Sequence, residues 1–260
     1  GYSHASGDVF FDRSIPLYGV DSRINVGILA YLHTLGLWGR TSNFLVELPY
    51  TWGNTKGAVG QTRARRDFSD FGDLKFTLTV NLLGAPSMTP QDFLEFRASP
   101  QPIVGASLKV VAPTGQYESN RLINIGANRW ATRAQLGSVI PLSPSWLLEL
   151  EAGVWFFGED EDFLPGAREQ DPIFSAQVNF IKRFRPGLWA SLDFTYFAGG
   201  RQTIGGERLD DTQHNAKIGG TVVIPFAGRH AVKIGYANGA VTKYGSDFDQ
   251  FLFTYQYLLR

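Results

Sequence analysis

The segment from Trp146 to Phe157 separates its side chains onto two chemically different faces. Alternate residues of an extended chain point to opposite sides, and here Glu149 and Glu151 lie opposite a continuous apolar face. A soluble sheet rarely buries two carboxylates in the middle of one face. A strand of about ten residues, apolar outside and polar inside, is typical of a tilted strand that crosses a bilayer in a closed barrel. The segment therefore predicts a transmembrane β-barrel.

The same alternation recurs along the chain, with turns and loops between the alternating segments. About eleven such segments can be counted, and single-chain bacterial barrels have an even number of strands. We therefore expect residues 1–5 to be the end of a first strand that starts before Gly1, which gives about twelve strands. Residues 6–19 and 53–71 are predicted to be polar loops. The expected fold is all-β, a single antiparallel barrel domain of the Gram-negative outer-membrane type over residues 1–260.

Composition excludes several other classes of protein. The chain has a formal net charge of zero, so nothing steers it to nucleic acid. It contains no cysteine, which excludes disulfides and thiolate metal sites, and its four histidines share no spacing typical of metal ligands. No apolar run reaches the roughly 18 residues of a membrane helix. We expect no cofactor, no bound metal, no catalytic residue and no nucleic-acid partner.

Two neighbouring motifs are typical of a known family. Residues 113–117 read Pro-Thr-Gly-Gln-Tyr, and residues 124–130 read Asn-Ile-Gly-Ala-Asn-Arg-Trp. They resemble the signature of the outer-membrane channel family known as the meta-pathway of phenol degradation transporter, a hydrophobic-compound uptake channel. Shorter matches, which occur in the same order, cover nearly the whole chain: residues 6–9, 48–50, 81–86, 169–172 and 245–248. The resemblance implies a monomeric outer-membrane barrel of about twelve strands that takes up hydrophobic compounds.

The inward faces of the predicted strands carry charged side chains and two tryptophans. A barrel of about twelve strands has a narrow interior, so these charges can pair across strands in a packed lumen. Alternatively, some of them line a narrow polar path, and the tryptophans offer a contact surface to an apolar substrate. Arg23 is also expected to point inward. The residues predicted to line the lumen or substrate path are Glu47, Asp73, Lys75, Lys109, Arg133, Glu149, Glu151, Trp155, Trp189, Asp193, Lys217 and Lys233.

The loop of residues 113–128 has two interpretations. Folded inward, it would narrow the mouth of the barrel with its many hydrogen-bond donors; otherwise it is a well-capped outer loop that matters for folding. The residues predicted for such a loop constriction are Thr114, Gln116, Tyr117, Asn124, Asn128 and Arg129. A proline cannot donate a hydrogen bond to a strand ladder. Pro49 and Pro113 are therefore predicted to mark a lateral seam in the barrel wall.

Several groups outside the lumen suggest surface partners. Trp52, Trp130 and Trp146 are expected in aromatic belts against membrane lipid, where a crystal would hold detergent. Arg63, Arg65 and Arg66 could contact lipopolysaccharide phosphates, and the acidic residues 159–162 could hold a divalent cation, although solvated loops explain both clusters as well. The protein is expected to be a monomer.

These features favour passive uptake of small hydrophobic molecules, either aromatic or long-chain. Because an apolar solute would leave the charges of the lumen desolvated, we expect it to exit sideways through the barrel wall. The first alternative is a narrow porin for small polar solutes or ions. The second is a lipid-modifying enzyme of the outer membrane, which would need a serine within hydrogen-bond reach of the lipid-facing His214. The identity of the small hydrophobic substrate does not follow from the sequence.

Overall fold

The computed structural model describes residues 1–10, 17–59, 62–88, 96, 99–121, 123–164 and 166–259. The strands in these ranges are β1 (Tyr2–Phe10), β2 (Leu17–Leu37), β3 (Arg40–Val59), β4 (Thr62–Phe71), β5 (Leu74–Leu83), β6 (Ile103–Ala112), β7 (Ala131–Ser143), β8 (Trp146–Phe157), β9 (Arg168–Gln170), β10 (Ile173–Arg185), β11 (Leu188–Gly199), β12 (Gln202–Ile204), β13 (Glu207–Arg208), β14 (Gln213–Phe226), β15 (His230–Val241) and β16 (Gly245–Tyr257). Within the same ranges, no helix has the length and hydrophobicity needed to cross a membrane.

Twelve strand positions form a closed antiparallel barrel in the described part of the chain. The ring closes because β1 pairs with β2 on one side and with β16 on the other. β4 and β5 share one position, since β4 pairs with the second half of β3 and β5 pairs with its first half. β9, β12 and β13 form a small separate sheet. The predicted fold class and the predicted strand number are confirmed.

The barrel presents an apolar surface between two aromatic belts. Short turns between β7 and β8, β10 and β11, and β14 and β15 mark the periplasmic end, because bacterial barrels have short periplasmic turns and longer outer loops. On the outward face, Leu136 and Leu192 are each 60% exposed. Trp52 belongs to the outer belt, and Trp146 stacks on Phe180 in the periplasmic belt with ring centroids 4.8 Å apart. Such an outward face suits contact with acyl chains.

The prediction of a polar loop at residues 53–71 is wrong. β3 continues to Val59 and pairs with β4 along the whole length of β4. On the outward side of β4, Arg65 and Asp67 form an exposed ion pair at 2.6 Å. This hairpin rises above the outer aromatic belt, where its outward face meets water rather than lipid. The apolar alternation by which a membrane strand is recognised is therefore absent.

The predicted loop at residues 6–19 is also too long. β1 continues to Phe10 and β2 begins at Leu17, while residues 11–16 lie outside the described part of the chain. The second half of β1 contains Ser6, Gly7 and Asp8, which are small or polar and give no apolar face. Its pairing with β2 and β16, rather than its own side chains, fixes this half as a strand.

The two faces of β2 are the reverse of the prediction. Asn25 of β2 pairs with Trp52 of β3, whose ring lies in the outer aromatic belt, so the odd-numbered residues of β2 face outward. Arg23 is one of these residues, and the prediction that it points inward is wrong. Ile24 and Val26 face the lumen instead. The outer half of the lumen is therefore more apolar than its predicted set of inward charges indicates.

Candidate functional site

The barrel wall is interrupted between β4 and β5, at Gly72 and Asp73. On the neighbouring strand β3, the Pro49 carbonyl accepts the Gly72 N–H at 2.9 Å. Towards the periplasm, β5 pairs with β6 as far as Leu74. Towards the outside, β4 pairs with β3 only, and no strand in the described ranges pairs with its other edge. Pro49 thus lies beside the interruption, and Pro113 follows directly after the end of β6.

The loop after β6, residues 113–130, fills the gap in the wall. Both carboxylate oxygens of Asp73 accept backbone N–H groups of this loop, one from Gly115 and one from Ala127, each at 2.8 Å. Asp73 is only 8% exposed, so these charge-assisted hydrogen bonds are shielded from water. Asp73, which is predicted as a lumen charge, therefore anchors the loop to the interruption.

The loop backbone lies directly against the strand ends at the interruption. The Gln116 N–H donates to the Phe71 carbonyl at 3.0 Å, and the Leu74 N–H donates to the Thr114 hydroxyl at 3.0 Å. A Cβ atom on Gly115 would lie 2.8 Å from a backbone nitrogen at the interruption. The absence of a side chain at position 115 thus permits this close approach.

Asp160 joins the same loop to the next outer loop. Its side chain is fully buried. Its carboxylate accepts hydrogen bonds from the Tyr117 hydroxyl at 2.9 Å, the Asn128 side-chain amide at 2.8 Å and the Arg168 guanidinium at 3.3 Å. A buried carboxylate is stable only when it is paired in this way. We call Tyr117, Asn128, Asp160 and Arg168 the loop latch.

Arg129 lies beside the loop latch in a buried position. Its guanidinium donates to the Gln170 side-chain carbonyl and lies 4.8 Å from the centroid of the Phe157 ring. Burial, together with the nearby Arg168 charge, lowers the pKa of Arg129 to about 10. Arg129 is therefore charged at neutral pH, and the Asp160 carboxylate lies near enough to compensate part of this charge.

Tyr117 makes the loop latch sensitive to alkaline pH. Burial and the hydrogen bond to Asp160 raise the pKa of Tyr117 to about 12, whereas an unfolded tyrosine ionises near pH 10. The free energy that Tyr117 contributes to holding the loop closed is therefore fully present below about pH 10. It is lost as the pH rises to about 12. We expect subtilisin, a protease that stays active in this alkaline range, to cut the loop faster as the pH rises. The Tyr117→Phe variant should be cut faster than the wild type at neutral pH, and its cutting rate should not rise further over this range. The control is Tyr50→Phe, on the outward face, which should be cut like the wild type at each pH.

The tip of the loop is shaped by Asn124. Its side-chain carbonyl accepts the Glu118 N–H at 3.0 Å, and its amide donates to the carbonyls of Glu118 and Arg121, each at 3.0 Å. This arrangement presents Ile123 and Ile125 to the lumen. Each of the six residues predicted for a loop constriction thus makes a hydrogen bond, through its backbone or side chain, within the loop or to an element that holds it.

Behind the loop tip, the outer half of the lumen contains a mostly apolar cavity of about 340 Å³, which we call the outer chamber. Ile24 and Val26 of β2 form one wall, and Ile123 and Ile125 of the loop form another. Arg66 is the only ionisable residue among its described lining residues. The full lining is Val9, Ser22, Ile24, Val26, Thr51, Thr55, Arg66, Phe68, Ile123, Asn124, Ile125, Ser246 and Phe248.

The periplasmic half of the lumen contains a more polar cavity of about 420 Å³, which we call the inner chamber. Glu149 accepts a hydrogen bond from the Asn179 side chain at 3.1 Å, and Asp193 accepts one from the Thr221 hydroxyl at 3.0 Å. Both carboxylates of this chamber thus accept hydrogen bonds from neutral partners. The predicted lumen residues that line it are Glu149, Trp189, Asp193 and Lys233.

The other predicted lumen residues also lie on the inward register of the wall. Lys109 and Glu47 form an ion pair at 3.4 Å, and Lys75 is the strand partner of Glu47. Among the described residues, this is the only ion pair between two predicted lumen positions. Arg133 instead donates to the Ser175 hydroxyl at 3.0 Å and lies over the ring of Trp155. Glu151 and Lys217 belong to the same register.

The arginine cluster of β4 and the acidic cluster of residues 159–162 each contain side chains that point in different directions. Arg63 and Arg65 lie on the outward register of β4, whereas Arg66 faces inward. The acidic residues 159–162 do not act together, because Asp160 alone turns into the loop latch. His214, on the outward face, hydrogen-bonds to the Tyr196 hydroxyl at 3.1 Å.

Sequence reasoning missed the residues that give the outer half of the lumen its chemistry. Asp160 was hidden among neighbouring carboxylates, and Arg66 among neighbouring arginines. One signal was available: Ile123 and Ile125 are apolar residues in an otherwise polar outer loop. Apolar residues at the tip of a polar loop indicate that the tip is buried, here against the lumen.

Comparison with known proteins agrees with this geometry. A family model described as "Putative MetA-pathway of phenol degradation" matches residues 7–244. The crystal structure of the COG4313 outer membrane channel from Pseudomonas putida F1 superposes with a TM-score of 0.79 at 22% identity, over 98% of this chain and 92% of that chain. The transport unit of the autotransporter AIDA-I from Escherichia coli gives 0.54 at 9% identity, over 99% and 88%. No curated protein matches the chain.

The family match spans most of the barrel, including the interruption at Gly72, the loop that fills it and the loop latch. The two solved structures are distant in sequence and support the fold alone. The closed barrel, its apolar outward face and its aromatic belts are those of a protein that spans the outer membrane. The chain therefore belongs to the family described as "Putative MetA-pathway of phenol degradation" and is a β-barrel protein of the Gram-negative outer membrane.

Proposed function

We propose that the protein takes up small hydrophobic molecules passively and releases them sideways through the barrel wall. The observation that carries this proposal is the contrast between the apolar outer chamber and the charged inner chamber. Pockets of about 300–1,000 Å³ with mostly apolar walls are typical sites for small organic molecules. A solute that arrives from outside would meet the apolar chamber first.

Passage straight through the lumen would be unfavourable for such a solute. In the inner chamber it would displace water from Glu149, Asp193 and Lys233 without replacing the lost hydrogen bonds. Each buried polar group left unsatisfied costs about 1–3 kcal/mol, and charged groups cost more. An exit above the inner chamber avoids this cost.

The interruption at Gly72 offers such an exit. Ile125 lines the outer chamber, and a Cβ atom at position 72 would lie 3.7 Å from its side chain and 3.1 Å from that of Pro49. Next to the interruption, Phe71 is 50% exposed on the outer surface. A movement of the loop would therefore connect the chamber to the lipid near the outer aromatic belt without breaking a strand ladder.

Uptake by a deletion strain tests the proposal. We expect cells without the protein to accumulate labelled naphthalene or a long-chain fatty acid more slowly than wild-type cells, and a plasmid copy to restore the rate. Accumulation of a small sugar should be unchanged. The proposal would be contradicted if deletion and wild-type cells accumulated all aromatic and long-chain compounds at equal rates. A loss of sugar uptake alone would also contradict it and would favour a polar porin.

A disulfide across the interruption tests the lateral exit. The chain has no cysteine, so the Phe71→Cys/Gln116→Cys variant would contain one defined pair, at residues whose backbones are hydrogen-bonded. Oxidation should slow naphthalene uptake by about tenfold, because the loop can no longer move away from β4, and reduction should restore it. The control is Leu150→Cys/Val178→Cys, a pair in an intact ladder. Equal uptake in both oxidation states of the test pair would exclude this exit.

A further inference from the structure

Arg66 is the only ionisable side chain among the described residues that line the outer chamber. It lines the outer chamber with apolar neighbours such as Phe68 and Ile125, and its side chain is 17% exposed. Its Nε atom is buried and has no hydrogen-bond partner. A guanidinium donor in this position is costly unless a partner accepts from it for part of the working cycle.

Among the described residues, the carboxylate that pairs with Arg66 is largely occupied by other side chains. Glu118 Oε1 lies 3.5 Å from Arg66 Nη2, which is a long contact. The same carboxylate is bound by Arg121 at 2.5 Å and by the Gln116 side-chain amide at 2.8 Å. Glu118 is absent from the chamber lining, whereas Arg66 belongs to it, so the Arg66 charge borders the chamber without a carboxylate beside it there.

A second donor lies beside Arg66. Thr55 is the strand partner of Arg66, and its hydroxyl lies 2.9 Å from the Ser22 hydroxyl. Both residues line the outer chamber and are buried. A bond between two hydroxyls uses one of their two protons. The other proton and the Arg66 guanidinium therefore place hydrogen-bond donors at one end of the chamber.

We propose that the outer chamber binds a small molecule with an apolar body and one acidic oxygen group, typified by an aromatic carboxylate. The Arg66 guanidinium and the hydroxyls of the Ser22–Thr55 pair donate to its oxygens, while the isoleucine walls contact the ring. A cavity of about 150 Å³ is enough for benzene, so about 340 Å³ accommodates a substituted aromatic ring. This inference rests on the proposed uptake function and narrows its substrate class.

Calorimetric titration of the purified full chain in detergent tests this inference with three one-ring probes: benzoate, benzyl alcohol and benzylammonium. Wild-type protein should bind benzoate about tenfold or more tightly than benzylammonium at pH 7. Arg66→Met keeps the length of the stem and removes the charge, and it should weaken benzoate binding by about tenfold while changing benzyl alcohol binding by less than about twofold. Arg65→Met, one residue away on the outward face, should bind all three probes like the wild type.

A second variant locates the site if Arg66→Met does not fold. Val26→Trp fills the chamber from the β2 side and should abolish binding of both benzoate and benzyl alcohol. Benzoate binding that is unaffected by Val26→Trp, or equal affinity of the wild type for benzoate and benzylammonium, would overturn the inference. The proposed uptake function would still stand if the deletion strain accumulates naphthalene slowly. The proposed uptake function fails, independently of this inference, if the deletion strain accumulates naphthalene at the wild-type rate.

Discussion

Replacing Asp73 with alanine is expected to release the inward loop and open the outer mouth of the barrel. The carboxylate accepts the Gly115 and Ala127 N–H groups, and alanine would leave both without a partner. Each charge-assisted bond contributes about 1.5–3 kcal/mol. Losing both shifts the ratio of seated to released loop by roughly a hundredfold or more. Single-channel recordings in planar bilayers should show a larger and noisier conductance than the wild type.

The matched control for this variant is Asp67→Ala, on the adjoining strand β4. Its carboxylate lies on the outward side of β4 in an exposed ion pair with Arg65, and such pairs contribute little. Its conductance should equal that of the wild type. Asp73→Asn retains one acceptor oxygen but places an amide N–H₂ against the second loop N–H, so it should resemble Asp73→Ala. An unchanged conductance in both Asp73 variants would show that the carboxylate does not hold the loop.

Replacing Asp160 with alanine is expected to separate the two outer loops. The variant removes the shared acceptor of Tyr117, Asn128 and Arg168, and it leaves the Arg129 and Arg168 charges uncompensated. Removing one partner of a buried ion pair costs about 3–5 kcal/mol. Trypsin should then cut the loops within minutes at concentrations that leave the wild type intact.

The barrel itself should survive this change. Migration of the unheated protein on a denaturing gel should still differ from that of the boiled protein, because the strand ladders do not depend on Asp160. Asp162→Ala, two residues along the same loop and exposed, is the control and should resist trypsin like the wild type. If Asp160→Ala resisted trypsin equally well, the loop latch would not hold the loops together.

The sequence predicts the membrane-spanning part of this barrel well, for a physical reason. Where lipid touches one face and the lumen the other, side chains must alternate, as they do around Leu150 in β8. Above the membrane this constraint disappears. The outer ends of β3 and β4 are therefore strands without an apolar face, and residues 53–71 resemble a loop in sequence alone. Pairing between distant segments, which fixes these strands, leaves no short-range pattern.

The candidate site was predictable only in part, because its chemistry depends on which face of a strand looks inward. The inward charges of β5 to β15 follow from alternation, but in β2 both faces are mixed, and Ile24 was not assigned to the lumen. The contacts of Asp73 with Gly115 and Ala127, and of Asp160 with Tyr117 and Asn128, join residues that are more than thirty positions apart in the chain. Such pairings have no local signature, whereas the buried loop tip at Ile125 does.

The interruption at Gly72 and Asp73 also has a mechanical consequence. Towards the periplasm, β5 pairs with β3 on one side and with β6 on the other, so this part of the wall is a continuous ladder of hydrogen bonds. Towards the outside, one edge of β4 has no strand partner among the described residues. Side-chain and loop contacts centred on Asp73 take the place of a strand ladder there. The outer rim can therefore bend at this point of the wall, while the ladder of β3, β5 and β6 beneath it stays intact.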